Sequence, residues 1–138
     1  MKVFLDANIL FSGSVSKSRI AKLIEAIQKH GECVTNRYAV EEARKNIEGK
    51  KYGSIQGLES VLEDVFITDE LILDIPVKLK SKDVPILGGA IAQKCTYLLI
   101  GDKKDFGFLF GKQVENVVVV SPKLLAETMA TKGSIEKT

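Results

Sequence analysis

Acidic residues fall at telling places in this chain. Asp6 ends the apolar run Lys2-Val3-Phe4-Leu5, and Asp102 follows the run Tyr97-Leu98-Leu99-Ile100 after a single glycine. Asp105 stands three residues beyond Asp102, and Asp83 opens the apolar segment that leads into the second run. Carboxylates gathered in one pocket repel one another: two of them about 5 Å apart cost roughly 3 kcal/mol at an effective dielectric near 20. Three or four stay ionised together only where a cation offsets the repulsion. Oxygen-only ligands suit Mg2+ or Mn2+, with water and a substrate phosphate completing the shell. Such ions activate water and stabilise the leaving oxygen in phosphodiester hydrolysis without any histidine. His30 is the sole histidine, which excludes a two-histidine acid–base nuclease and any His-rich metal centre. Lys78, Lys80, Lys82, Lys103 and Lys104 lie near these acids in sequence and can steer a polyanion.

Each residue also has a plainer reading. Asp83 before Pro85 suits an N-cap, Asp102 and Asp105 suit turns, and surface lysines commonly serve only solubility. Asp6, which cuts off a buried-type strand, fits a purely structural role less well. The joint placement of the acids is what favours chemistry.

The elements that must position them follow from hydrophobic spacing. Lys2–Leu5 reads as a strand buried on both faces, apolar throughout. Ile20, Leu23, Ile24 and Ile27 mark an amphipathic helix ending near Gly31, and Cys33-Val34-Thr35 a short strand. A helix is expected from Arg37 to Ile47, with Val40, Ala43 and Ile47 on its buried face. At 100° per residue, Glu42 falls about 110° from the centre of that face and Glu41 about 150°, so Glu42 flanks it and Glu41 reads as solvated. Gly49 to Gly53 is a turn, and Ile55, Leu58, Val61 and Leu62 form another helical stripe. Val65-Phe66-Ile67 and Leu71-Ile72-Leu73 compete for the third strand, and Lys78 to Lys82 is a polar connector. Asp83 to Lys94 is helical despite Gly88-Gly89, a pair that costs about 2 kcal/mol of propensity against two alanines and implies a close approach to a sheet. Tyr97–Ile100 and Val117–Val120 are strands, a short helix covers Asp105 to Phe110, and Ser121-Pro122 opens a last helix through Leu124, Leu125 and Met129.

Alternation of strands and helices with short links implies an α/β domain with a parallel sheet, helices on both faces and right-handed crossovers. Ligands of such sheets bind beyond the carboxyl ends of the strands, where the strand order reverses. Asp6, Asp83, Asp102 and Asp105 all reach that edge if the first and fourth strands are neighbours. The chain's 138 residues fit one domain over 1–130, with 131–138 as a polar tail. A 45% hydrophobic content and a mean hydropathy of +0.07 exclude a disordered chain. No apolar stretch suggests a membrane span or a signal peptide, and Cys33 and Cys95 fit a reducing cytoplasm. The net charge of +2 neither demands nor discourages a nucleic-acid partner.

Four segments together resemble the PIN-domain family, over most of the chain up to about Leu125. Phe4-Leu5-Asp6-Ala7-Asn8-Ile9-Leu10 is similar to that family's first motif, an aspartate followed two positions later by asparagine. Val40-Glu41-Glu42-Ala43 resembles the helical second site, and Lys82-Asp83-Val84-Pro85-Ile86-Leu87 the third. Tyr97-Leu98-Leu99-Ile100-Gly101-Asp102-Lys103-Lys104-Asp105-Phe106 resembles the fourth. The resemblance implies a three-layer α/β/α sandwich with a five-stranded parallel sheet in the order 3-2-1-4-5. It implies a Mg2+- or Mn2+-dependent ribonuclease with Asp6, Glu42, Asp83 and Asp102 as core acids. Asp6, Asp83 and Asp102 would hold the metal with Asp105 as ancillary ligand, Asn8 would orient Asp6 or a metal-bound water, and Lys82, Lys103 and Lys104 would contact RNA. Many relatives are toxins of VapBC-type toxin–antitoxin pairs, which implies an antitoxin protein and a homodimer as candidate partners. The Leu58, Val61, Leu62 stripe is a second motive for the dimer, and equally reads as intramolecular core.

Two departures stand out. Ile100 replaces the Thr or Ser that many members carry two residues before the fourth aspartate, and the Asp102–Asp105 loop is one residue longer than the commoner form. They support an alternative, a PIN-like module that binds RNA or protein without cutting. A phosphorelay receiver would need an acidic pair after the first strand, and a haloacid-dehalogenase-type phosphatase an aspartate where Asn8 stands. Neither pattern is present.

Overall fold

The computed structural model describes residues 1–49, 53–101 and 103–131. Strand β1 (Lys2–Leu5) leads through helices α1 (Ala7–Gly13) and α2 (Arg19–His30) to β2 (Glu32–Asn36). Helices α3 (Arg37–Glu48) and α4 (Ile55–Leu62) then lead to β3 (Val65–Thr68). A connector over 69–83 reaches α5 (Val84–Ala92) and β4 (Tyr97–Leu99). Helix α6 (Lys103–Phe106) runs into a 3-10 turn at Gly107–Leu109, followed by β5 (Gln113–Val114), β6 (Val117–Val120) and α7 (Pro122–Thr131).

The central strands β1 and β4 are apolar because both faces of the sheet are covered there. Val3, Phe4, Leu5, Val34, Leu98, Leu99 and Val119 are fully buried, each large side chain contributing about 1.5–3 kcal/mol of transfer free energy. The sheet order is β3-β2-β1-β4-β6-β5, parallel except for the β5–β6 pair. This is the three-layer α/β/α arrangement expected from the sequence, with one correction. The parallel strands follow the order 3-2-1-4-5, with β6 in the fifth place, and the two-residue β5 adds an antiparallel sixth strand at the edge.

Pairing across the sheet settles the competition for the third strand. Cys33 to Asn36 pair in register with Val65 to Thr68, so Val65-Phe66-Ile67 is the strand. Residues Leu71 to Leu73 instead cross α5, where the Ile72 N–H donates to the Gly88 carbonyl at 3.1 Å. That crossing revises the account of the glycine pair. Gly89 faces the sheet, where a methyl group would come within 2.6 Å of Asn36 Nδ2 and 3.0 Å of the Phe4 ring. Gly88 faces the connector, and a methyl group there would overlap the Ile72 carbonyl oxygen.

Helix α1 has no counterpart in the spacing analysis. It starts at once after Asp6, whose side chain caps it, and it buries Ile9 and Leu10. The Leu58, Val61, Leu62 stripe is spent inside the chain: Leu58 is fully buried and the other two pack against the core. The homodimer expectation therefore keeps only the family resemblance behind it. One continuous core joins β1 to α7. The expected polar tail lies, after Thr131, outside the described residues, as do positions 50–52 of the expected turn. No helix among the described residues is long and apolar enough to cross a membrane.

Candidate functional site: an acidic cleft at the sheet edge

Because β1 and β4 are hydrogen-bonded neighbours, their carboxyl ends open on the same edge, and the Asp6 N–H donates to the Leu99 carbonyl at 3.1 Å. A cleft of about 240 Å³ lies there. Asp6, Asn8, Glu42, Lys82, Asp83 and Asp105 all line it. Asp102 and the side chain of Lys103 lie outside the described residues. Lys104 is exposed and does not line the cleft.

Asp6 and Asp83 reach the cleft by different routes. Asp6 is 8% exposed, and its Oδ1 accepts from the Ala7 N–H at 2.7 Å, the first free donor of α1. Asp83 is 7% exposed and occupies the N-cap position of α5, yet its side chain makes no capping hydrogen bond. The plain N-cap reading of Asp83 therefore fails, and its carboxylate lines the cleft. Glu42 also lines it, half-buried and 4.0 Å from Lys45 Nζ, whereas Glu41 is exposed.

Tyr38, Asn46 and Asn36 were not anticipated. Tyr38 and Asn46 flank the expected Glu42 on α3, and the three, at i, i+8 and i+4, present one polar stripe to the cleft. Burial, with the charges of Glu42 and Asp83, pushes the Tyr38 phenol above its usual range, so it stays protonated. Asn36 fixes the walls against each other. Its Oδ1 caps α3 by accepting from Ala39 N–H at 2.9 Å, while its Nδ2 donates to the Pro85 carbonyl in the first turn of α5 at 3.1 Å. The i, i+4, i+8 spacing was a usable sequence signal for Tyr38 and Asn46. Asn36 offered only the capping preference of asparagine.

Asp105 is held by two lysines. Lys82 Nζ donates to Oδ2 at 2.6 Å and Lys80 Nζ lies 3.1 Å from Oδ1. Lys82 Nζ also lies 3.8 Å from Asp83 Oδ1. The Lys82 hydrogen bond, with support from Lys80, holds the Asp105 carboxyl below the ordinary carboxylate range. Ile100, the residue in place of a hydroxyl, is fully buried in the core.

The carboxylate oxygens of the cleft suit a hard divalent cation, and Asp6 and Asp83 offer two buried ones. Among the described residues no three acidic, His or Cys side chains are grouped closely enough to hold an ion. The third carboxylate of the expected set is Asp102, outside those residues. A larger depression of about 640 Å³, lined by Glu25, Lys29, Glu32 and Asp64 among others, lies by the amino ends of β2 and β3. It is wide open and draws its acids from the opposite edge of the sheet, away from Asp6 and Asp83.

The molecule is thus an α/β/α domain with a mostly parallel sheet and an acidic cleft at its carboxyl edge. No family model matches the chain, and no curated protein does. Among solved structures it is similar in fold to a chain in the crystal structure of VapBC2 from Rickettsia felis bound to a DNA fragment from their promoter. The TM-score is 0.62 at 15% identity, over 88% of this chain and 98% of that one. At that identity the likeness is one of fold.

Proposed function

We propose that this chain is a Mg2+- or Mn2+-dependent ribonuclease that hydrolyses RNA phosphodiester bonds, acting as the toxin of a toxin–antitoxin pair. The observation that carries the reading is the convergence of Asp6, Glu42 and Asp83 on one cleft at the sheet edge where α/β domains bind ligands. The fold shared with a VapBC2 chain supports the toxin assignment and an antitoxin partner. Asp6, Asp83 and Asp102 would hold the ion, which would supply an activated water and charge stabilisation of the leaving oxygen. Asn8 lines the cleft two residues after Asp6, where its amide can orient the Asp6 carboxylate or a water. Glu42, on the α3 wall of the cleft, would act as proton acceptor, and Lys103 and Lys104, on the α6 segment, would contact RNA.

The test is RNA cleavage by wild type and single variants, with a chelator as blank. Asp6→Asn and Asp83→Asn should each cut the rate roughly a hundredfold or more, and Glu42→Gln should be severe where Glu41→Gln is mild. Equal cleavage by wild type and Asp6→Asn would assign the activity to a contaminant. A second reading, a module that binds RNA without cutting it, draws on Asp105 being already paired with two lysines. Chelator-insensitive RNA binding without Asp6-dependent cleavage would select it.

A further inference from the structure

The cleft holds a cation of its own. The turn Lys80-Ser81-Lys82-Asp83 is closed by the Asp83 N–H donating to the Lys80 carbonyl at 2.9 Å, and it delivers both lysines to Asp105. The Asp105 side chain is 6% exposed and gives one oxygen to each ammonium, whereas the Lys82 side chain is 58% exposed. Lys82 Nζ also lies 3.8 Å from Asp83 Oδ1, so the same ammonium that pairs with Asp105 stands beside the second carboxylate. A buried carboxylate such as Asp83 is thereby compensated within the chain.

Resting on the metal-dependent reading above, we infer that Lys82 is the resident counter-cation of the cleft, held against Asp83 by Asp105, and that a divalent ion binds Asp83 in opposition to it. Asp105 is then a positioning residue for Lys82 and not a metal ligand. A divalent ion held by Asp83 would share that carboxylate with the Lys82 ammonium, and the two like charges would repel. Lys82 has to swing outward, as its exposure allows, or its charge weakens the ion's binding.

The experiment titrates Mn2+ alone, without RNA, into wild type, Lys82→Met, Lys82→Arg and Asp105→Asn, by calorimetry and by paramagnetic broadening of amide signals. Lys82→Met should bind Mn2+ at least tenfold more tightly than wild type. Lys82→Arg keeps the charge and should stay within threefold of wild type. Asp105→Asn releases the clamp but also removes one negative charge, so it should stay within threefold of wild type, whereas loss of a metal ligand would weaken it tenfold or more. Equal affinities in wild type and Lys82→Met, or a tenfold loss in Asp105→Asn, would overturn the inference. No Mn2+ bound by any of the four chains would overturn it as well. Asp6-dependent RNA cleavage is measured separately, so the nuclease reading stands or falls on its own result.

Discussion

Replacing Gly88 by alanine tests the contact that lays the connector over α5. In an ordinary helix interior, Gly→Ala gains about 1 kcal/mol. At position 88 the new methyl group would overlap the Ile72 carbonyl oxygen and lie 2.9 Å from the Ile72 carbonyl carbon. That carbon belongs to backbone, so no rotamer change relieves the overlap, and the connector has to lift. Lifting it breaks the 3.1 Å bond from Ile72 N–H to the Gly88 carbonyl, a loss of about 1 kcal/mol. Overpacking of a well-filled contact adds about 1–3 kcal/mol. The balance is a net destabilisation of about 2 kcal/mol, or roughly 8 °C in Tm for a domain of this size. Chemical denaturation monitored by circular dichroism measures it. Gly107→Ala, where an added methyl group meets nothing within 4 Å, is the control and should move stability by no more than about 0.5 kcal/mol. A Gly88→Ala protein as stable as wild type, or more stable, would refute the close approach of Ile72.

The low pKa of Asp105 makes a signed prediction. A carboxyl held below its unfolded value adds stability in full above about pH 4, and loses it as the pH falls through the lower folded value. Urea melts of wild type and Asp105→Asn should therefore differ most at pH 6 and draw together as the pH falls below about 4; a difference that does not shrink on acidification would contradict the ion pairs. Burial pushes the Cys33 and Cys95 thiols up to about 12. Neither should react with a disulfide reagent in the native protein at pH 8, and both should react in denaturant. Fast labelling of the folded chain would refute their placement in the core.

The parts legible in the sequence are those set by local spacing. Strand β1 announces itself as an apolar run cut off by Asp6, and α2 by Ile20, Leu23, Ile24 and Ile27 ending at the Gly31 cap. Asp6, Asp83 and Asp105 line one cleft because they stand at a strand end or a helix start, and parallel crossovers bring those to one edge. What stayed hidden depends on distant partners. Val65–Ile67 and Leu71–Leu73 are equally apolar, and only pairing with β2 separates them. Strand β5 has two residues and no periodicity to display. Helix α1 has seven residues, too few to display a long stripe, with Ile9, Leu10 and Gly13 buried along one side. The grip of Lys80 and Lys82 on Asp105 spans more than twenty residues and depends on the course of the connector.

That last pairing changes the electrostatics of the cleft. Several carboxylates in one pocket demand a cation, and the demand alone points to a divalent ion. In the folded chain, two lysines from the connector meet part of it. Ion affinity and the stability of the ion-free fold are then opposed through one side chain. A stronger hold of Lys82 on Asp83 and Asp105 favours the ion-free domain and weakens the site for Mn2+ or Mg2+. Gly88 enters the same balance from a distance, because the connector pressed on it by Ile72 is the segment that ends in Lys80 and Lys82. A lifted connector should loosen the lysines, so Gly88→Ala should lower stability and raise Mn2+ affinity together.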